Sequence, residues 1–247
     1  MKMSGNTIFV TGGGSGIGRE LAQRFHALGN TVIVTGRRAA MLEETIAGRD
    51  GMHARALDMM DAAAIAAFAR AITADFPALN VLVNNAGILP HEDLLAVDGL
   101  DRAEATVATN LLGPIRLGYA LLPHLLEARD ATIVNVTSGL AFVPMTIAPT
   151  YSASKAALHS LSQSWREQLA GRIEVIELAP PAVQTDLTPG QATNPHYLPL
   201  DDFSNEVMSL FGEVPTPSEI LVKNVLPARH AERDGRFEAM FALLNRR

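Results

Sequence analysis

The chain has 247 residues, 48% hydrophobic and 19% charged, which supplies a sizeable core and excludes an intrinsically disordered protein. A net charge of −6 without runs of like charge argues against nucleic acid or an anionic membrane surface as partner. With no cysteine, no apolar run near the ~18 residues of a membrane span and no signal peptide at Met1-Lys2-Met3, a soluble cytoplasmic protein without disulfides is expected.

Thr7 to Thr11 reads as a short buried strand, and Gly12-Gly-Gly14-Ser15-Gly16-Ile17-Gly18 follows at once. Arg19 to Leu28 then reads as a helix, with Leu21, Ala22, Phe25 and Leu28 on one stripe. Strand, glycine turn and helix N-terminus together make a phosphate cradle. The glycines let backbone approach a pyrophosphate, and the helix end supplies N–H donors and positive dipole. Thr31 to Thr35 is the second strand, ending in Gly36-Arg37-Arg38. An acidic residue about 20 positions past the glycines would bind a ribose 2′-hydroxyl. Gly36 and two arginines in that place favour the 2′-phosphate of NADP, with NAD possible; two solvated arginines before a helix are the plainer reading.

Ala39 to Ala47 reads as a helix and His53 to Leu57 as a strand delivering Asp58, a residue suited either to adenine or to capping the helix Ala62 to Asp75. Val81 to Val83 is the fourth strand and ends in Asn84-Asn-Ala86-Gly87, at the carboxyl edge where ligands bind in parallel sheets. A helix from about Arg102 to Leu126 carries Asn110 and a mid-helix Gly113-Pro114 that should kink it. Thr132 to Val136 is the fifth strand, delivering Ser138. A helix through Tyr151 runs to Ala170, and Glu174 to Leu178 is the sixth strand, followed by Pro180-Pro-Ala-Val183-Gln-Thr185.

Residues 187–216 contain an irregular stretch after a strand end and are read as a substrate lid. Ser204 to Phe211, Ser218 to about His230 and Phe237 to Leu244 read as helices. Strand–helix alternation throughout implies one α/β domain over 1–247, a doubly wound, Rossmann-like parallel sheet of six strands, with no clear seventh.

Tyr151 and Lys155 lie four apart on one helix face. A free tyrosine has a pKa of about 10, and lowering it by about 3 units needs roughly 4 kcal/mol. A cation about 4 Å away supplies roughly that at an effective dielectric of 20, so Lys155 is expected to make Tyr151 a working acid/base. Seventeen of the 20 basic residues are Arg, so a lysine here, with its compact ammonium, is a pointed choice. From Ala131 to Ser154 no residue is charged, and Leu140, Phe142, Val143, Met145 and Ile147 are expected to surround the pair, suiting a neutral or apolar carbonyl compound. The seven histidines form no His-x-x-x-His pair, so no metal site is expected; His159 reads as a packing residue, while His91 and His196 lie in loops near the site.

Thr11-Gly12-x-x-x-Gly16-x-Gly18, Asn84-Asn-Ala-Gly87, Asn110, Ser138, Tyr151-x-x-x-Lys155 and Pro180-x-x-Val183-x-Thr185, in that order, resemble the short-chain dehydrogenase/reductase family over roughly Thr7 to Thr185. The resemblance implies an NAD(P)-dependent oxidoreductase that interconverts a small-molecule carbonyl compound and an alcohol by hydride transfer. In it Tyr151 passes the proton, Ser138 holds the substrate oxygen, and Lys155 tunes Tyr151 and bonds the nicotinamide ribose. Asn110 anchors a proton-relay water. Val183 and Thr185 hold the carboxamide beside Pro180, Asp58 meets adenine, and Asn84 lies by the adenosine half. A nucleotide sensor on the same fold is the alternative, but it has no need of the full Asn110, Ser138, Tyr151 and Lys155 set. Pro181 replaces the family's usual glycine. The helical tail lacks its usual closing strand, so a two-fold homodimer through the Asn110 and Tyr151 helices is expected, with Leu121, Leu125, Leu161 and Trp165 facing outward. Val136-Thr-Ser-Gly-Leu-Ala-Phe142, Lys155-Ala-Ala-Leu-His-Ser160 and Ala179-Pro-Pro-Ala-Val183 further resemble a bacterial subset named for D-alanylation of lipoteichoic acid, a likeness that identifies kin and not a substrate.

Overall fold

The computed structural model describes residues 1–97 and 99–246. Strands β1 (Thr7–Thr11), β2 (Thr31–Gly36), β3 (Met52–Ala56), β4 (Leu79–Asn84), β5 (Thr132–Val136), β6 (Glu174–Leu178) and β7 (Glu219–Ile220) form one sheet in the order β3-β2-β1-β4-β5-β6-β7. Every pairing is parallel, with Phe9 opposite Ile33 on one side and Leu82 on the other. Strand residues alternate between two cores, as a period of two dictates. Ile8, Val10, Val32, Val34, Val81 and Val83 face one side, where helices α1 (Gly16–Ala27) and α7 (Leu200–Phe211) cover them. Phe9, Ile33 and Leu82 face the other side, covered by α3 (Ala62–Asp75), α5 (Gly113–Glu127) and α6 (Pro149–Gln168).

Local chemistry sets the helix boundaries. Asp61, rather than Asp58, caps α3 by accepting from the Ala64 N–H at 2.9 Å. Helix α2 (Ala39–Ile46) is short and buries Leu42 and Thr45. The expected kink near Pro114 is realised as a π-helical turn over Ala108–Leu112, between α4 (Leu100–Val107) and α5. Pro114 then falls in the first turn of α5, where its missing N–H costs little. Helices α5 and α6 approach so closely that a Cβ on Gly118 would lie 2.3 Å from the Trp165 ring.

Three expectations are corrected. Ser218 to His230 is not one helix: β7 adds the seventh strand beside β6, followed by a 3-10 turn (Lys223–Val225) and the short helix α8 (Leu226–Arg229). Ile220 and Val222 are both fully buried, an alternation of period two that the nearby apolar residues disguise as helical spacing. Leu121, Leu125 and Trp165 do not face outward; with partly buried Leu161 they belong to the core beneath α5 and α6. In the segment 187–216, α7 buries Phe203, Val207 and Phe211, with Phe211 edge-on to Phe25 of α1, so that part is core rather than flap. The tail is helical as expected, α9 spanning Phe237–Leu244.

The chain leaves β1 toward β2 and β3, then crosses back to β4 on the other side of β1. That reversal opens a crevice at the carboxyl ends of β1 and β4, the place where open parallel sheets bind ligands.

Candidate active site

A cleft of about 530 Å³ occupies this crevice. At one end Gly12, Gly14, Ser15, Gly16, Ile17 and Gly18 wrap the N-terminus of α1. Gly12 has φ +68°, and a Cβ there would lie 2.8 Å from the Ala86 Cα, so the turn requires glycine. Ser15 makes no side-chain cap and the first turn holds no acidic residue, so its N–H groups and dipole remain available to an anion. Arg37 and Arg38 line the same end, both exposed. Arg38 donates to the Ser15 hydroxyl at 3.3 Å, while Arg37 makes no hydrogen bond or ion pair among the described residues. Asp58 also lines the cleft, its carboxylate accepting from the Met60 N–H.

Ala86 and Gly87 form the middle of the cleft, but Asn84 does not reach it. Adjacent strand residues point to opposite faces, and Asn84 is turned into the sheet, donating to Asn135, which in turn donates to Ser162. Its neighbour Asn85 lines the cleft instead and donates to the Thr11 and Gly12 carbonyls, tying β4 to the glycine turn. The doubled asparagine signals an amide here, though not which of the two.

At the far end Ser138, Tyr151, Lys155, Pro180, Val183 and Thr185 converge. Ser138 lies two residues beyond the end of β5, its position fixed by Thr137 N–H to Leu178 O and Gly139 N–H to Pro180 O, both 2.8 Å. Lys155 is buried and donates to the Val136 carbonyl at 2.7 Å, with its ammonium 5.7 Å from the Tyr151 ring centre. Asn110 is fully buried outside the cleft, and its amide clamps both backbone groups of Ile88 and donates to Ser154. A Cβ on Gly87 would lie 3.4 Å from the Asn110 oxygen and 3.7 Å from the Lys155 ammonium, so a glycine keeps this junction open.

The expected lowering of the Tyr151 pKa is not what the chain provides. Burial pushes the phenol up to about 12, with Ser138 pulling the other way, and burial pushes Lys155 down to about 8. Desolvation of both groups outweighs their mutual influence, because the ammonium is directed at Val136 rather than at the phenol oxygen.

The apolar residues expected around the pair are also placed elsewhere. Leu140 and Met145 line a second hollow with Phe241, Phe142 packs edge-on to His159, Val143 is buried, and Ile147 is half exposed. Ile88, Leu89, Pro90 and Leu187 give the catalytic end its apolar wall instead. His91 and His196 are exposed and do not line the cleft. His159 bonds the fully buried Glu177 at 2.7 Å, and Glu177 also accepts from Thr137, the residue before Ser138. His159, Glu177 and Glu219 cluster tightly, but Arg229 already holds both oxygens of Glu219, supplying the cation such a group would want. Two contributors beyond the sequence reading are Glu92, which accepts from both the N–H and hydroxyl of Thr150 beside Tyr151, and Gln191, which bonds Val183 and Thr185.

A family model described as short chain dehydrogenase matches residues 6–195. A Bacillus subtilis (strain 168) protein named uncharacterized oxidoreductase DltE is 44% identical over 194 residues, 76% of this chain and 75% of that one. The sulfoacetaldehyde reductase of Chromohalobacter salexigens is 36% identical over 73% of this chain and 74% of its own. Among solved structures, a short-chain dehydrogenase from Streptomyces avermitilis superposes with TM-score 0.82 at 26% identity, covering 96% of each chain. The closed form of serine dehydrogenase complexed with NADP+ gives TM-score 0.76 at 26% identity, covering 86% of this chain and 90% of that one.

The burial of Lys155 carries a stability signature. Below pH 8 the ammonium is charged in both folded and unfolded chains, and burial penalises the folded one. Between pH 8 and about 10.5 the unfolded chain holds the extra proton, so stability rises with pH by about 3 kcal/mol. Tyr151 works oppositely and later, losing stability from about pH 10 to 12 as the unfolded phenol ionises first. Denaturant titrations of the ligand-free chain from pH 7.5 to 10 should show the parent gaining on Lys155→Met. Parallel curves would contradict the buried-ammonium account.

Proposed function

This chain belongs to the short-chain dehydrogenase family, and from that premise we propose that it is an NADP(H)-dependent oxidoreductase reducing a neutral or apolar carbonyl compound to an alcohol. The observation that carries the reading is one cleft with an anion cradle and two arginines at one end and Ser138, Tyr151 and Lys155 at the other. The relatives' printed names, sulfoacetaldehyde reductase and an NADP+-bound serine dehydrogenase among them, support oxidoreduction on this fold, while the neutral or apolar substrate rests on the wall of Ile88, Leu89, Pro90 and Leu187. A bound nicotinamide would supply or accept hydride at the catalytic end.

The residues of this chain do the rest. The glycine turn and the first turn of α1 would hold the pyrophosphate, Arg37 and Arg38 the 2′-phosphate, and Asp58 the adenine. Val183 and Thr185 would hold the carboxamide, and Lys155 the ribose. Ser138 orients the substrate carbonyl oxygen by a hydrogen bond, and Tyr151 delivers a proton to it. A phenol whose pKa burial holds near 12 is fully protonated at neutral pH, the state required of an acid in the reductive direction. Asn110 keeps the Ile88 backbone in place and would anchor a proton-relay water at the helix kink. The protein works in the cytoplasm in this reading, and no helix among the described residues is long and apolar enough to cross a membrane.

Assembly follows from what α5 leaves uncovered. Leu112, beside its start, and Tyr119 lie seven residues apart on one stripe, with Tyr119 69% exposed, and we take this face with α6 as the contact of a two-fold homodimer. Light scattering at micromolar concentration should give a dimer that Tyr119→Glu dissociates. A monomeric parent would rule the contact out.

Tyr151→Phe removes the proton carrier while preserving packing, so turnover should fall by roughly 10²- to 10⁴-fold with cofactor affinity nearly unchanged. Near-normal turnover in steady-state assays on a ketone panel would refute the proton assignment.

The cofactor preference rests on charge. Each charge-assisted hydrogen bond to the 2′-phosphate is worth about 1.5–3 kcal/mol, so Arg37→Ala or Arg38→Ala should weaken NADPH roughly 10- to 150-fold and spare NADH. Calorimetric titration of both cofactors checks this. Equal affinities in the parent would overturn the preference.

A further inference from the structure

We propose that Gln191 is a positioning residue that fixes the Thr185 hydroxyl as a hydrogen-bond donor toward the cleft and latches the segment 187–199 across its nicotinamide end. The inference rests on the nicotinamide-binding reading above and adds a residue to it. Gln191 opens a 3-10 turn, Gln191–Thr193, six residues beyond Thr185. Its side-chain nitrogen donates to the Val183 carbonyl at 2.8 Å and to the Thr185 hydroxyl oxygen at 3.0 Å, and its oxygen accepts from the Thr188 hydroxyl at 2.8 Å.

The chemistry leaves one orientation of that amide. A backbone carbonyl can only accept, so the NH₂ group must face Val183. The same NH₂ reaches Thr185, whose hydroxyl oxygen must therefore accept, and among the described residues that hydroxyl donates to nothing. Its proton is free for a ligand. A Cβ on Gly16 would lie 3.3 Å from the Thr185 Cβ and methyl, so Thr185 packs directly against the α1 turn beside the cleft. That free proton favours a ligand acceptor at Thr185, such as a carboxamide oxygen.

The same contacts hold the segment down. At its far end Leu198 is stapled to the Ala182–Gln184 backbone by its N–H to the Ala182 carbonyl at 3.0 Å and the Gln184 N–H to its own carbonyl at 2.9 Å. Gln184 also donates to the Asn194 carbonyl. Leu187 and Gln191 both line the cleft, so the segment is fastened at its base while its near half is held by Gln191.

The test compares each dinucleotide with its nicotinamide-free counterpart, NADPH with 2′-phospho-ADP-ribose and NADH with ADP-ribose, on the parent, Gln191→Ala and Gln191→Glu. Gln191→Ala should weaken the dinucleotides roughly 3- to 10-fold and leave the counterparts unchanged. Gln191→Glu should be worse than Ala: its carboxylate accepts from Thr185, turning the hydroxyl proton away from the cleft. Hydrogen exchange should show 187–193 opening faster in both variants while 198 stays protected. A Gln191→Ala protein that binds dinucleotides as the parent does, or loses both members of a pair alike, would overturn the latch. A Glu variant milder than Ala would overturn the donor assignment. A parent that binds a counterpart no more weakly than its dinucleotide would overturn the nicotinamide reading itself, and the latch with it.

Discussion

The catalytic end of this molecule is organised by the need to house one buried ammonium. An isolated cation in the interior is prohibitively costly, and Lys155 is tolerated because the Val136 carbonyl accepts from it and Gly87 leaves its other side open to the cleft. That requirement fixes the distance between α6 and the end of β5. Ser138 lies two residues beyond Val136 and Tyr151 one helical turn before Lys155, so the same bond brings both hydroxyls to one place. The chemistry of the site is thus a consequence of how a charge is hidden.

A second buried charge reinforces the same junction from behind. Glu177 on β6 is fully buried, and it survives there because Thr137 donates to it, His159 faces it, and the Arg229–Glu219 pair lies nearby. Phe142 fills the remaining space, edge-on to His159 and 5.0 Å beneath Arg229. Thr137 precedes Ser138 and His159 follows Lys155 by one turn, so this network and the Lys155–Val136 bond grip the same two elements. Half of such a network would be worse than none, since a lone buried carboxylate costs several kcal/mol. Its completeness explains how an uncharged stretch from Ala131 to Ser154 sits beside so much charge.

What the sequence disclosed was whatever local spacing decides. The turn from Thr11 to Gly18, the Tyr151–Lys155 pair and six of the strands are set by neighbours in the chain, and they were read in place. The failures concern choices made by distant residues. Asn84 and Asn85 are chemically identical and adjacent, and only the pleat of β4 decides which one faces the cleft. Leu121, Leu125 and Trp165 are apolar whether they face a partner or a core, and the Gly118 gap that admits Trp165 exists only once α5 meets α6. β7 pairs over two residues, too few for alternation to stand out. The phenol was expected to be acidified by its lysine, but spacing along a helix says nothing about burial, and burial decides the sign.

Charge distribution ties these parts to ligand capture. The chain carries −6 overall, yet the cleft is lined by Arg37, Arg38 and Lys155 against Asp58 and Asp186. The arginines are exposed at the mouth, while the ammonium is hidden at the base. In the function proposed above, an anionic cofactor would be drawn first to the exposed end, where water still screens the attraction and entry is reversible. Its uncharged portion then meets the apolar wall of Ile88, Leu89, Pro90 and Leu187, in a region where hydrogen bonds replace ion pairs as the source of orientation. An acidic surface with a basic slot repels polyanions at large and still admits a small one that fits, so selectivity begins with the layout of charge before any contact is made.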